Sequence, residues 1–394
     1  MRRLLPLACA VVAVDTILYA ALVPLLPHYA ETYGLSKAGA GLLASMYALG
    51  ALLGGLPAGT AASRFGPRAA VLGGLALMAT ASFAFGWSGA IEALWVARLV
   101  QGFGSSLTWT GALSWLGTTT PRERRGAAMG TAMAAAVVGA LLGPVLGAVA
   151  SVVGTRGAFT AVALFAVVLA VWALRIAPAP ADPQPLATAF RALRDRGILT
   201  GLWLITLPAL LFGILSVLMP LALSDVGFGA VGIGAVWLVT AAIEAALNPV
   251  LGRVSDRRGP LVPVQVALVV SITVSILLAV LSGPVALVGL TLVAGIAYGA
   301  FYTPGLSVLS HTAEHIGLAQ GLVFGLMNLA WATGNSVGPL AGGALADAVG
   351  DALPYILGAV VCAATLVAVR RLQHERAAVL VDRLAGDAAG VGRE

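Results

Sequence analysis

GTAASRFGPR, residues 59 to 68, returns as GRVSDRRGPL, residues 252 to 261. Gly59, Arg64, Gly66 and Pro67 meet Gly252, Arg257, Gly259 and Pro260 at an offset of 193 residues. A second set follows at 195, where Gly126, Gly130, Gly139, Gly143, Pro144 and Gly147 meet Gly321, Gly325, Gly334, Gly338, Pro339 and Gly342. Shared Gly and Pro positions at nearly one spacing indicate a duplicated chain. Long apolar runs flank both arginine-bearing segments, so the duplicated unit is a set of membrane spans.

Composition leads the same way. Of the 394 residues 60% are hydrophobic and 10% charged, against about a quarter charged in soluble domains. A span of roughly 30 Å needs about 20 apolar residues, and twelve such segments are expected: 4–27, 39–62, 68–88, 91–116, 127–152, 156–176, 199–223, 229–251, 260–282, 285–309, 317–345 and 352–371. The expected architecture is an all-α membrane protein of two pseudo-symmetric six-helix bundles, residues 1–177 and 199–371. The Pro-rich, then basic, segment RIAPAPADPQPLATAFRALRDRG holds the linker 178–198 between them, and a polar tail follows from 372 to 394. Arg2 and Arg3 ahead of an apolar run imitate a secretory signal. The run continues to about Leu26 and contains Asp15, so an uncleaved first span is expected.

Basic residues set the orientation. With the N-terminus in the cytoplasm, nineteen of the 22 basic residues fall in cytoplasmic loops and tails, and only Lys37 and Arg156 on the opposite face. Both termini are therefore expected in the cytoplasm of a multi-pass protein of the inner (plasma) membrane. The net charge of +6 is then a topological signal with no nucleic-acid partner behind it. The expected partners are the lipid bilayer, protons and a small-molecule substrate, and the chain is expected to act as a monomer. Cys9 and Cys362 lie in apolar runs and are read as packing residues. His311 and His315 flank Glu314 without further ligands. No metal or other cofactor is expected.

Several segments resemble the major facilitator superfamily. GTAASRFGPR and GRVSDRRGPL resemble the family's loop motif, G-x-x-x-D-R-x-G-R-R. LWVARLVQGFG, residues 94 to 104, resembles the arginine motif of helix four. GALLGPVLG, residues 139 to 147, resembles the helix-five motif associated with proton-driven exporters. Asp15 with the following PLLP, residues 24 to 27, is similar to the drug:proton antiporter branch, especially vesicular amine transporters and tetracycline exporters. The first loop departs from the pattern, with Ser63 where the family has aspartate and Pro67 where it has arginine, while the second keeps Asp256. The resemblance assigns gating to Gly59, Ser63, Arg64, Gly66, Arg68, Gly252, Asp256, Arg257 and Gly259. A serine there makes a weaker latch, although it can cap a helix end. Glycines four apart make flat stripes for close packing: Gly139, Gly143 and Gly147 around Pro144, and Gly334, Gly338 and Gly342 around Pro339. They are read as packing residues with a possible second role in sealing the pathway.

Three ionisable residues stand well inside spans: Asp15, Arg98 and Glu244. Each costs about 2.5–3.5 kcal/mol or more at the bilayer centre unless paired or hydrated. Asp15 lies near the middle of its span. Burial favours the neutral form of a carboxyl, so Asp15 is expected to exchange a proton for a substrate cation, with Glu244 as a second protonatable site and Arg98 beside the proton path. Gln101 shares the face of Arg98, and Asn248 that of Glu244. Tyr19, Tyr47, Gln101, Trp109, Asn248, Tyr298, Tyr302, Asn328, Trp331 and Asn335 are expected to line a cavity whose aromatic walls suit amphipathic cations.

No Walker sequence is present, and no strand–turn–helix context for a hydrolase serine appears. Single carboxylates on separate helices do not make an enzyme site. The expected function is proton-coupled export of small amphipathic or cationic compounds by rocking of two bundles. Proton-coupled uptake of a small nutrient is the alternative.

Overall fold

The computed structural model describes residues 3–180, 191–318 and 320–391, without the side chains at 122, 123, 256, 320, 321, 372 and 374–391. Linker residues 181–190 and the Asp256 side chain therefore lie outside the described residues. All regular structure among the described residues is helical. Twelve spans are formed by α1 (Leu4–Ala20) with α2 (Leu26–Tyr33), α3 (Lys37–Phe65), α4 (Pro67–Trp87), α5 (Ile91–Thr119), α6 (Arg122–Val153), α7 (Thr155–Leu174), α8 (Arg196–Asp225), α9 (Ala230–Arg258), α10 (Leu261–Val280), α11 (Pro284–Gly299) with α12 (Tyr302–His315), α13 (Gln320–Val349) and α14 (Ala352–Val391). Ten of these are long and apolar enough by themselves to cross a membrane. The other two, α5 and α13, interrupt their apolar character with polar side chains such as Gln101, Ser105, Asn328 and Asn335. Leu164, Phe165, Val167, Val168 and Val171 of α7 are exposed, as expected of a surface whose solvent is lipid.

Two spans expected to be continuous are broken. The first stops at Ala20, passes through a tight turn at Val23–Leu25 and resumes at Leu26. Pro24 and Pro27 supply no N–H to the carbonyls of Ala20 and Val23, so the helical ladder cannot run through. The tenth breaks at Ala300 and Phe301, where Pro304 leaves the carbonyl of Ala300 without its helical donor. In the twelfth span the helix continues to Val391, beyond the expected end at 371.

The duplication is visible in backbone geometry. Gly66 and Gly259 close the two repeated loops with φ of 88° and 83° and ψ of 157° and 153°, a region that side-chain-bearing residues rarely enter. Arg64 and Arg257 stand in the last turns of α3 and α9, where a cation complements the helix dipole. Arg68 donates from Nη2 to the Leu174 carbonyl at the end of α7, at 2.9 Å. Ser63 does not cap: its hydroxyl donates to Thr60 within the same helix, at 3.1 Å. It sits inside the last turn of α3, where the carbonyl three residues back is the nearest acceptor.

The glycine stripes serve the interior of each bundle. Gly139, Gly143 and Gly147 face the α1 backbone at Ala13, Ile17 and Ala21, and Gly334 and Gly338 face α8 at Thr206 and Leu210. The prolines beside them work between bundles. Gly41 of α3 lies on the Pro339 carbonyl, and Gly234 of α9 on the Pro144 carbonyl. Gly41 and Gly234 are themselves 193 residues apart and the prolines 195, so one contact is the pseudo-symmetric copy of the other. Both lie towards the end that carries Lys37 and Asp351, whose side chains pair across the bundles at 2.5 Å. The two bundles are thus joined at the lysine end by both glycine–proline contacts and the Lys37–Asp351 pair.

Gly41→Val would force Cβ into the Pro339 carbonyl, an overpacking that costs about 1–3 kcal/mol. A cysteine at Ser216, in a chain with Cys9 and Cys362 replaced by alanine, should then react with a membrane-impermeant maleimide from the lysine end roughly tenfold faster. Unchanged labelling would show that Gly41 does not govern closure.

Candidate functional site

The first cluster forms where α1 ends. Helices α3 and α5 approach closely because Gly50 abuts the backbone at Leu99 and Gly102 abuts it at Tyr47. That approach lays the Arg98 guanidinium over the Tyr47 ring, 4.7 Å from its centroid. Arg98 is 2% exposed. It donates from Nη1 to the Leu18 carbonyl at 2.9 Å and from Nη2 to the Tyr19 carbonyl at 3.2 Å. Gln101 Oε1 accepts from Nη1 at 3.3 Å, and its Nε2 donates to Ser82 Oγ at 3.2 Å. The guanidinium therefore caps a helix end where the last carbonyls concentrate negative charge.

Asp15, one turn before Tyr19, is 3% exposed. Its Oδ2 accepts from Ser105 Oγ at 2.9 Å and from Trp109 Nε1 at 2.6 Å. Thr108 Oγ1 stands 3.5 Å from Oδ1, and the Tyr47 hydroxyl donates to the Asp15 carbonyl at 3.2 Å. Ser105 and Thr108 were not among the residues expected from sequence. The signal was present, because Arg98, Gln101, Ser105, Thr108 and Trp109 recur at helical spacing and form one stripe along α5. Asp15 and Arg98 are neighbours without an ion pair: among the described residues only Lys37 and Asp351 pair within 4.0 Å.

Tyr19 carries the cluster across to the second bundle. Its hydroxyl donates to Asn335 Oδ1 of α13 at 2.5 Å, and its ring lies edge-on to Trp331, 4.9 Å between centroids, and 5.5 Å from Tyr47. Asn335 is fixed in turn by donating to the Trp331 carbonyl at 3.3 Å. Between the bundles here is a cavity of about 20 Å³, lined by Tyr19, Leu22, Val23, Leu26, Ala44, Arg98, Ser216 and Pro339. It has room for about one water.

Glu244 stands apart on α9. It is half-buried and accepts no hydrogen bond from any described residue. Its carboxyl group fills the space that a side chain at Gly299 would need, against the break of the tenth span. Asn248, one turn on, accepts from Thr303 Oγ1 of α12 at 3.5 Å. Tyr302 stacks on Phe212, 6.5 Å between centroids at 11°. Tyr298 turns away, its hydroxyl 3.2 Å from Ser275 Oγ of α10. Asn328 is half-buried on α13. The expected lining residues thus fall into two sets that share no hydrogen bond among the described residues: Asp15, Tyr19, Tyr47, Arg98, Gln101 and Trp109 with Trp331 and Asn335, and Glu244, Asn248 and Tyr302.

Comparison with known proteins fits this architecture. The model of the Major Facilitator Superfamily matches residues 8–335. The chain belongs to that superfamily. Secondary transport, not enzyme chemistry, is the activity of that superfamily. An MFS-type transporter ppzB of Metarhizium rileyi (strain RCEF 4871) is 30% identical over 131 residues, 29% of this chain and 25% of the relative. Its counterpart in Metarhizium majus (strain ARSEF 297) is 32% identical over 122 residues, 29% of this chain and 26% of the relative. The matched stretch thus spans about a quarter of those curated relatives. The fold is similar to that of a bacterial homologue of the human lysosomal transporter Spinster, solved inward-facing and unoccupied, with a TM-score of 0.76 at 17% identity, covering 93% of this chain and 96% of that one. It is also similar to a POT family transporter in complex with a thioalcohol-conjugated peptide, with a TM-score of 0.74 at 14% identity, covering 94% and 96%.

A methyl group at position 299 cannot coexist with the Glu244 carboxyl in its place. Gly299→Ala should push the flexible end of the Glu244 side chain aside and so reduce transport, with expression and helical circular dichroism retained. A wild-type rate would show that transport does not use this position of Glu244.

Proposed function

We propose that this transporter exports small amphipathic or cationic compounds in exchange for protons, in the plasma membrane with both termini in the cytoplasm. The observation that carries the reading is the Asp15 carboxyl, shut inside the first bundle with hydroxyl and indole donors and no ion-pair partner. Neutral donors spread a carboxylate's charge without cancelling it, and in lipid the cheapest neutraliser is a proton. A group that must take up and release a proton within the bundle is what coupling to a proton gradient needs. The resemblance of Asp15 with PLLP and of GALLGPVLG to proton-driven exporters favours exchange over uptake. The nineteen arginines on one side favour cytoplasmic termini.

The cycle follows from the contacts. Opening the lysine end requires the two glycine–proline contacts and the Lys37–Asp351 pair to part. The Tyr19–Asn335 bond joins those contacts to the helix that carries Asp15. A proton on Asp15 changes what Ser105 and Trp109 hold, and so changes the position of α1 relative to α5. Tyr19 passes that change across the bundle interface. The antiporter branch to which Asp15 with PLLP points, with its vesicular amine and tetracycline exporters, supplies the substrate class.

In bacteria lacking their own efflux pumps, expression should lower the intracellular level of a cationic dye, and an uncoupler should restore it. Asp15→Asn should abolish this efflux while the protein still reaches the membrane. Efflux that survives the substitution with its dependence on the gradient intact would sink the assignment.

A further inference from the structure

We infer that the positive charge of the substrate docks on Glu244, so that proton and substrate are carried by different carboxyl groups, one in each bundle. This rests on the export reading above and divides the labour that reading leaves with Asp15.

Asp15 is poorly built for an organic cation. Its Oδ2 already holds two donors, Ser105 and Trp109. Asp15 is 3% exposed, and its carboxyl does not line the small cavity between the bundles, whose wall includes Tyr19 and Arg98. The Arg98 guanidinium, on the same helix face and on that cavity's wall, repels a second positive charge. A proton needs no volume and leaves these donors in place.

Glu244 has the opposite surroundings. No described residue donates to it. Beside it stand the Gly299 backbone at the break and, one turn along α9, the Asn248 amide, whose oxygen accepts only a long 3.5 Å bond from Thr303; Pro304 leaves the Ala300 carbonyl of the break without its helical donor. Helix α11 ends here, at Gly299, and its C-terminal end adds negative potential. Gly299, lacking a side chain, leaves the carboxyl group against the backbone of the break. A carboxyl group that accepts no hydrogen bond from the described residues is open to a ligand that brings its own N–H groups and positive charge. The stacked rings of Tyr302 and Phe212 on α12 and α8 offer a flat apolar wall for its body. The ligand class is an amine or amidinium cation attached to an aromatic or hydrocarbon skeleton. Broken helices beside a midplane site are where transporters commonly bind such charges.

The test uses the full-length detergent-purified transporter and ethidium, whose fixed charge does not titrate. Fluorescence anisotropy gives its affinity, and a pH indicator in weak buffer gives the protons released on binding. Glu244→Gln should weaken ethidium by roughly tenfold or more, and Glu244→Asp should restore part of that loss. Asp15→Asn should leave ethidium bound at near wild-type affinity, the protons then released coming from Glu244 alone. An affinity unchanged in Glu244→Gln but lost in Asp15→Asn would overturn the inference and leave export standing, with both ligands competing at Asp15. Equal losses in both variants would overturn it too, because the two carboxyl groups would then form one site. A wild-type protein that binds no cation would remove the export reading together with this one. Elution of each variant at the wild-type volume on size exclusion separates loss of binding from loss of fold.

Discussion

A backbone carbonyl that loses its helical partner inside a bilayer finds no water to replace it. This constraint governs the centre of the molecule. Pro24 and Pro27 break the first span, and the exposed end of α1 is held by the Arg98 guanidinium through the Leu18 and Tyr19 carbonyls. A cation at that depth would be costly alone. Here its cost is offset by the helix end it caps, the Gln101 amide and the Tyr47 ring. Remove the break and the arginine keeps only the Gln101 amide oxygen; remove the arginine and the Leu18 and Tyr19 carbonyls lose their guanidinium donor.

Duplication supplies the frame in which this exception sits. Each bundle closes its interior with a glycine stripe, α6 on α1 and α13 on α8. Each then turns a proline carbonyl outward to receive a glycine of the other bundle. The polar groups do not follow that symmetry. The first bundle carries Asp15, Arg98 and their donors, whereas the second carries Glu244 with hardly any. A symmetric scaffold holding asymmetric charges is suited to giving its two halves different ligands.

Much of this was legible in the sequence for physical reasons. Gly and Pro at repeated offsets report backbone constraints, and those constraints reappeared as matching dihedral angles at Gly66 and Gly259. Asp15 and Arg98 stood out because ionised groups are rare in spans. The breaks were hidden, since hydropathy does not fall at Pro24 or Pro304 and an apolar run reads as one helix. Ser105 and Thr108 lay on a legible stripe, but their contact with Asp15 did not show, because a hydroxyl in a span usually bonds its own helix, as Thr16, Ser45 and Thr108 itself do here. Stripe spacing shows that a face is flat but not what lies on it. The same limit applies to Tyr298, whose depth was readable but whose turn towards Ser275 was not.

Lys37 is the only lysine of the chain, and its ammonium rests on Asp351 across the two bundles, 314 positions away in sequence. The pair is 36% and 47% exposed, so salt screens it and its own contribution to closure is small. Its value is chemical. A carbodiimide that condenses a carboxylate with the nearest amine has one lysine side chain to choose. The resulting isopeptide bond would weld the bundles at one end and leave the other free, turning a reversible contact into a covalent record of which way the molecule was facing.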